Sequence, residues 1–389
     1  MTQPIWYDST EAGAPTLNNA AGSLLEVLRA CLVNGFNARA VTSIAVVSGV
    51  ATATAAAHGF RAGFGKLVLI SGAPVAALNG RKQPSNVLTN SFTFPAPGVA
   101  DGTYTGTISA RRAPLGWAEP YNAGNVSIFA RTVQESTAMM LRVNDSHVAP
   151  STINDARVLM VESATSTLDF VNQSPTAAQI SGGLRWFKGQ DSATAKMWAV
   201  FGDDRLFFIV LPNVNGGGSL FTYAIHAFGD PLAVKTPDPF LCLLAGATQS
   251  VTAGSISNRL GTRNGINAGT TDPHTVLARS FSGFNFSRPC ETCSIGAGGV
   301  PFGSVTQGDP DLSDFLLTGP ALLIEQGTTV RATLPGLVDP TARAPFQALP
   351  QFALIQSVSG TDRRFVSVLF RSTGGSEGNA LIDVSGPWR

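Results

Sequence analysis

Lys196-Met-Trp-Ala-Val-Phe201-Gly-Asp-Asp204-Arg-Leu-Phe-Phe-Ile-Val-Leu211 decides the fold class of this chain. Two apolar runs flank Gly202-Asp203-Asp204, and both are rich in the β-branched and aromatic residues that fit a pleated surface. Such runs on either side of a short polar turn read as a β-hairpin. The same style extends in both directions. Downstream, 220–228 and 241–247 are strand candidates separated by a Pro/Asp loop at 230–239. Upstream lie 126–130, 139–143 and 157–162, and 176–180 could form one turn of helix. Towards the C-terminus, 321–324, 330–333, 351–356, 365–370 and 380–384 return to strand. The stretch 248–310 is polar, Gly-rich and too long for an ordinary loop. It reads as a long excursion lying on a partner surface.

Nearer the start the period is also two. Residues 41–47, a Ser48-Gly49 turn and 50–55 predict a hairpin. Short strands follow at 66–70, 91–94 and 102–109, with Asn79-Gly80 as a turn. About six short strands in some 70 residues make a small barrel or sandwich bounded near Phe36 and Arg112. One helix precedes it. Leu24, Leu25, Val27, Leu28, Cys31 and Leu32 form a stripe at i, i+3, i+4, i+7 spacing, predicting a helix over about 20–34. Ser23 or Asn19 can cap it, and Asn34-Gly35 ends it. The expected fold is therefore mainly β, with multi-domain sandwich or barrel modules and one short N-terminal helix. Its parts are an arm and helix (1–36), an inserted module (37–112), a central β-domain (113–247) and the excursion with a C-terminal β-region (248–389).

Composition narrows the function. Charged residues are 13% of the 389, roughly half of the ~25% usual in soluble domains. A net charge of +1 gives no basic excess for nucleic acid, and four Cys do not make a disulfide scaffold. The apolar content argues against disorder. The longest apolar runs, 206–211 and 240–247, fall far below the ~18 residues that span a bilayer. The N-terminus, Met1-Thr-Gln-Pro-Ile-Trp, lacks the basic and apolar regions of a signal peptide, so folding in a cytoplasm is expected. Residues 40–60, 83–100, 206–229 and 240–258 contain no Lys, Arg, Asp or Glu. Such windows are either buried between subunits, where charge is depleted, or belong to a β-rich surface wetted by Ser and Thr.

Motifs with chemical potential each lack their context. Cys290-x-x-Cys293 has no second ligand pair for zinc; a disulfide, a metal or redox role and an incidental pair all remain readings of it. Cys31 and Cys242 sit in apolar runs and read as core. Gly374-Gly-Ser376-Glu-Gly378 matches a nucleophile elbow literally, but a strand follows it and no His lies downstream. Residues 59–66 miss the phosphate-loop spacing by one. Asp309, Asp311 and Asp314 lack the Gly and Glu of a calcium loop, although Glu325 lies further on. Asp203-Asp204 is a hairpin tip. His58, His147, His226 and His274 are scattered, with His226 read as core or interface. Carboxylate pairs for glycoside cleavage are placed by space and not by sequence, and no pair stands out. No catalytic, cofactor or metal residue is assigned.

Four stretches carry a resemblance. They are Trp6-Tyr-Asp-Ser-Thr-Glu-Ala-Gly-Ala-Pro15-Thr-Leu with the helix ending at Phe36; the module containing Ala57-His58-Gly-Phe60, Leu69-Ile-Ser-Gly72, Leu78-Asn-Gly80 and Phe92-Thr-Phe94; Gly116-Trp-Ala-Glu-Pro-Tyr-Asn122; and Leu334-Pro-Gly-Leu337 with Leu381-Ile-Asp-Val-Ser-Gly-Pro-Trp388. Together they resemble structural proteins of tailed bacteriophages and prophages, over residues 1–120 and roughly the last 60. The resemblance implies a non-enzymatic virion component, assembled in the bacterial host cytoplasm. It would be a tail or baseplate protein that oligomerises and joins other tail subunits. Its partners would be other virion proteins and copies of itself, with no nucleic acid and no membrane. Trp6, Tyr7 and Trp388 are the candidate interface anchors, with ordinary core packing as the other reading of each. The alternatives are a fibre or spike recognising host-surface glycan, with Trp117, Tyr121, Trp186 and Trp198 as platforms, and a capsid decoration protein.

Overall fold

The hairpin at 196–211 forms, with strands Ala199–Gly202 and Leu206–Asn215 in antiparallel register from Ala199↔Val210 to Gly202↔Phe207. The computed structural model describes residues 3–146, 153–190, 192–215, 221–234, 241–247, 275–279, 288–293, 317–325, 329–340, 349–355, 363–371 and 377–389. The chain is mainly β, with several antiparallel sheets and one short helix among these residues.

The largest sheet has thirteen strands. It starts at the N-terminal strand Ile5–Asp8, which pairs with Ala199–Gly202. It continues through Leu206–Asn215, Phe221–Gly229, Leu241–Ala245, Thr275–Arg279, Arg288–Cys293, Leu317–Glu325 and Thr329–Pro340, and ends in Glu377–Asp383, Phe365–Arg371 and Leu354–Ile355. Leu232–Ala233 joins Thr329–Pro340 from the side, so the sheet curls back towards itself. One core lies inside the curl and takes Leu206, Phe208, Val210, Leu243, Leu334, Val366 and Trp388. The opposite face of the same strands, with Phe207, Ile209, Leu211, Phe228 and Leu244, belongs to a second core. This explains the unbroken apolar run 206–211: alternate side chains feed two cores, and neither face meets water.

The second core is closed by a five-stranded sheet. Its strands are Ala118–Ala123, Val126–Ala130, Met140–Asn144, Ile153–Val161 and Leu184–Gln190. The helix packs into this core through Leu24, Leu25, Val27, Leu28, Cys31 and Leu32. It is α-helical over Ser23–Leu28 and widens to a π-helix over Arg29–Asn34. Gly35 ends it at φ +70°, where an added Cβ would lie 2.1 Å from the Arg112 carbonyl oxygen. Neither Ser23 nor Asn19 caps it. The cap is Asp145, whose carboxylate accepts the Leu24 N–H at 2.9 Å.

Residues 36–112 form two four-stranded sheets around their own core. One orders Phe36–Val41, Ile108–Arg112, Val68–Ser71 and Gly80–Lys82, and Phe36 pairs with Arg112 where the chain enters and leaves. The other orders Ser91–Pro95, Val50–Thr54, Ser43–Val47 and Gly102–Tyr104. The strand expected at 41–47 divides at Thr42, and that expected at 102–109 divides after Tyr104; in both places the chain crosses between sheets. The expectation for 248–310 needs correction where it is described. Thr275–Arg279 and Arg288–Cys293 are strands within the large sheet and not an excursion, although the stretch reads as Gly-rich and irregular, and the second of them carries Cys290 and Cys293.

Candidate functional site

The densest polar chemistry lies where the N-terminal strand meets the module. Ile5–Asp8 is the edge of the large sheet, and the Trp6 N–H donates to the Gly65 carbonyl at 3.1 Å. This register turns Asp8 and, one turn later, Glu11 inwards. Lys66 Nζ reaches Glu11 Oε1 at 2.6 Å and Asp8 Oδ2 at 3.1 Å. Arg112 Nε reaches Glu11 Oε2 at 2.6 Å. Its guanidinium also donates to the Trp6 and Leu67 carbonyls. Asp8, Glu11, Lys66 and Arg112 are all buried. Two aromatic rings complete the cage: Lys66 Nζ lies 3.0 Å from the Trp6 ring centroid, and Arg112 Cζ lies 5.0 Å from that of Tyr7. Cations on ring faces gain most where water is excluded.

Burial would raise the Asp8 carboxyl, but Lys66, Thr10 and Arg61 outweigh it and hold the group below its usual value. Burial pushes the Lys66 ammonium down further than Glu11 and Asp8 lift it. Burial pushes the Tyr7 phenol well up, and its hydroxyl donates to the Ala113 carbonyl at 2.6 Å. Two buried carboxylates face two buried cations, and the exposed Arg61 meets Asp8 from outside at 3.4 Å, so the cluster is a joint between arm and module. Its energy is specific more than large: removing one partner of such a cluster is costly even where the intact cluster adds little net stability.

The same pattern recurs. Asp145 pairs with Lys188 at 2.6 Å beneath the helix start, both fully buried. Burial raises the Asp145 carboxyl despite Lys188 and the helix N–H groups. Asp230 meets Arg131 at 3.1 Å, with the guanidinium 4.9 Å from the Phe228 ring centroid. Asp203 meets Arg389 at 3.0 Å, and Asp155 and Asp383 are bonded to Arg185 and Arg363. Every buried acid among the described residues therefore has a basic partner.

The three interface candidates lie inside the chain. Trp6 is 7%, Tyr7 0% and Trp388 5% exposed, so none is a surface anchor on this chain. Trp6 stacks on Phe201, Tyr7 packs on Phe36 and Trp388 on Phe208. Trp388 also explains one glycine. A Cβ on Gly336, at φ +81°, would lie 2.2 Å from the indole. This seats the Leu334-Pro-Gly-Leu337 stretch under the C-terminal one, with Leu337 paired to Ile382. Of the proposed glycan platforms, Trp117, Trp186 and Trp198 are buried, and only Tyr121 keeps partial exposure. All five tryptophans are thus core residues.

Other sequence candidates resolve as follows. His58 is buried and accepts the Phe60 N–H at 2.9 Å; His226 is buried and stacks on Trp186. Cys31 and Cys242 are buried free thiols. Asp203 Oδ1 accepts the Arg205 and Leu206 N–H groups, which makes the hairpin tip structural. His147, His274, Asp309, Asp311, Asp314 and Ser376 lie outside the described residues, as do the side chains of Cys290 and Cys293. Among the described residues no group of three or more His, Cys, Asp or Glu side chains is arranged to hold a metal. No helix there is long and apolar enough to cross a membrane.

The uncharged windows divide into two kinds. The described parts of 206–229 and 240–258 are central strands, uncharged because both faces are core. Windows 40–60 and 83–100 supply the module's second sheet, whose outward side chains reach solvent. The joint itself was not foreseen. Its one signal was an isolated charge at the edge of an apolar run, as at Ile5-Trp-Tyr-Asp8 and Lys66-Leu-Val-Leu69, in a chain poor in charge. No family model matches the chain, and no curated protein or solved structure matches it either.

Proposed function

We propose that this chain is a non-enzymatic structural component of a bacteriophage virion, a tail or baseplate protein that oligomerises and joins neighbouring tail subunits. The reading starts from the phage-like motifs in the sequence. The observation that carries it is how the side-chain chemistry is used. Buried acids and bases are spent in pairs that tie arm, module, helix and body together, and the tryptophans are spent in the cores. What remains for contact is a charge-poor β surface, suited to association by shape and buried area. The burial of Trp117, Trp186 and Trp198 weighs against glycan recognition through those rings.

Immunogold electron microscopy of particles from a producing strain tests the reading. Label on tails or baseplates supports it. Label confined to heads would make the chain a decoration protein, and absence of label from intact and opened particles would reject a virion role.

A further inference from the structure

We infer that the outward face of the module's second sheet is a contact surface for the same face of a second copy of this chain. The inference rests on the oligomeric reading above and names the surface. The sheet's inward side chains, among them Ile44, Ala53 and Phe92, fill the module core. The joint to the body is made from the other sheet and from the 58–66 loop, so this face points away from it. Cross-strand register lays the outward residues in rows. Pro95, Val50 and Val47 form one row, and Thr93, Thr52 and Ala45 the next. Val47 and Val50 are 65% and 47% exposed, high values for paired aliphatic side chains.

Three features favour self-association. First, no residue of this face is charged. A face that meets itself about a two-fold axis brings each charge near its own kind, and here there is none to repel. The one bordering carboxylate, Asp101, accepts the Ser48 N–H at 2.8 Å at the hairpin tip. Lys82 lies over the Phe94 ring, which belongs to the core side. Second, the sheet's edges are blunted. One edge strand has three residues, Gly102–Tyr104. The other ends at Pro95, and its Thr93 is already bonded to Ser85 in both directions at 2.7 and 2.8 Å. Contact through the face remains, as in stacked sheets. Third, size fits an assembly and not a free dimer. Strands ~4.8 Å apart with outward residues at ~6.8 Å spacing, three on each of the longer strands and Thr103 alone on the short edge strand, cover ~330 Å², under half the ~800 Å² per partner of a stable complex. The contact is therefore weak alone and adds by avidity once other surfaces hold copies together.

The test uses the full-length chain and sedimentation velocity across a concentration series. Thr52 lies on an inner strand near the centre of the face. Thr52→Asp and Thr52→Lys should each weaken self-association by at least about tenfold, while an equimolar mixture of the two restores it to within about threefold of wild type. Thr52→Ser should associate as wild type, and unfolding midpoints should stay together because the side chain points outwards. Wild-type association in both charged variants, failure of the mixture to exceed either variant, or a monomeric wild-type chain at all concentrations would each overturn the inference. A chain found in particles but indifferent to Thr52→Asp would remove this face and leave the virion reading standing.

Discussion

Glu11→Gln is the sharpest test of the arm–module joint. The substitution keeps shape and removes charge. Glu11 is buried and holds Lys66 and Arg112, each at 2.6 Å. Hydrogen bonds to charged groups contribute about 1.5–3 kcal/mol each, which gives about 3–6 kcal/mol for the two. Breaking a buried pair by removing one partner costs about 3–5 kcal/mol. An amide at this position must also turn an N–H₂ towards Lys66 or Arg112, both of which only donate. The expected loss is therefore about 4 kcal/mol, large beside a typical total of about 5–15. Urea unfolding followed by tryptophan emission measures it, because Trp6 sits against the cluster. Removing Lys66 as well, as Glu11→Gln/Lys66→Met, should recover about 1–3 kcal/mol relative to the sum of the single losses. A single-variant loss below about 1 kcal/mol, the range of a solvated surface pair, would refute the reasoning, as would strict additivity.

Four further outcomes are expected. Asp145→Ala strips the helix cap and leaves Lys188 buried without its acid, so a loss of about 3–5 kcal/mol in denaturant unfolding is expected; less than about 1 would show that the pair is idle. Gly336→Ala forces a Cβ against the Trp388 indole at a positive φ, and should lower stability by at least about 2 kcal/mol with loss of the near-ultraviolet signal of that ring. Alkali should destabilise the fold. Burial first, partly opposed by Arg131, lifts the Cys242 thiol from 9.0 to about 11. Burial likewise lifts Tyr223 to about 12. The folded state keeps these protons where the unfolded chain has lost them, so stability is full below about pH 9 and declines through about pH 11, by about 3 kcal/mol for Cys242. Flat stability from pH 8 to 11 would contradict this. Finally, acrylamide should quench the native tryptophan emission far less than the denatured, and soluble glycans should leave it unchanged.

Much of the fold was legible because short-range chemistry wrote it. The hairpin around Gly202-Asp203-Asp204, the Ser48-Gly49 turn and the alternating Phe92 and Phe94 each specify their pairing locally. Other elements were illegible for physical reasons. Leu184–Gln190 carries Arg185, Lys188 and Gly189, and reads as polar until Asp155 and Asp145 are seen to meet those charges. Ala118–Ala123 contains Pro120 and is half exposed, as an edge strand can be. The helix cap comes from Asp145, more than a hundred residues beyond the helix. The uncharged windows were ambiguous because a strand buried on both faces and a Ser/Thr-wetted face look alike in composition. Burial of Trp6, Tyr7 and Trp388 followed from long-range pairing that no local pattern announces.

Quantitative mass spectrometry of purified particles, before and after separating heads from tails, bears most directly on the virion reading. A stoichiometry near three, six or twelve copies per particle that follows the tails, as expected of a symmetric connector, is the predicted result. Hundreds of copies following the heads would contradict the tail assignment, and absence from the particle would contradict the structural role altogether.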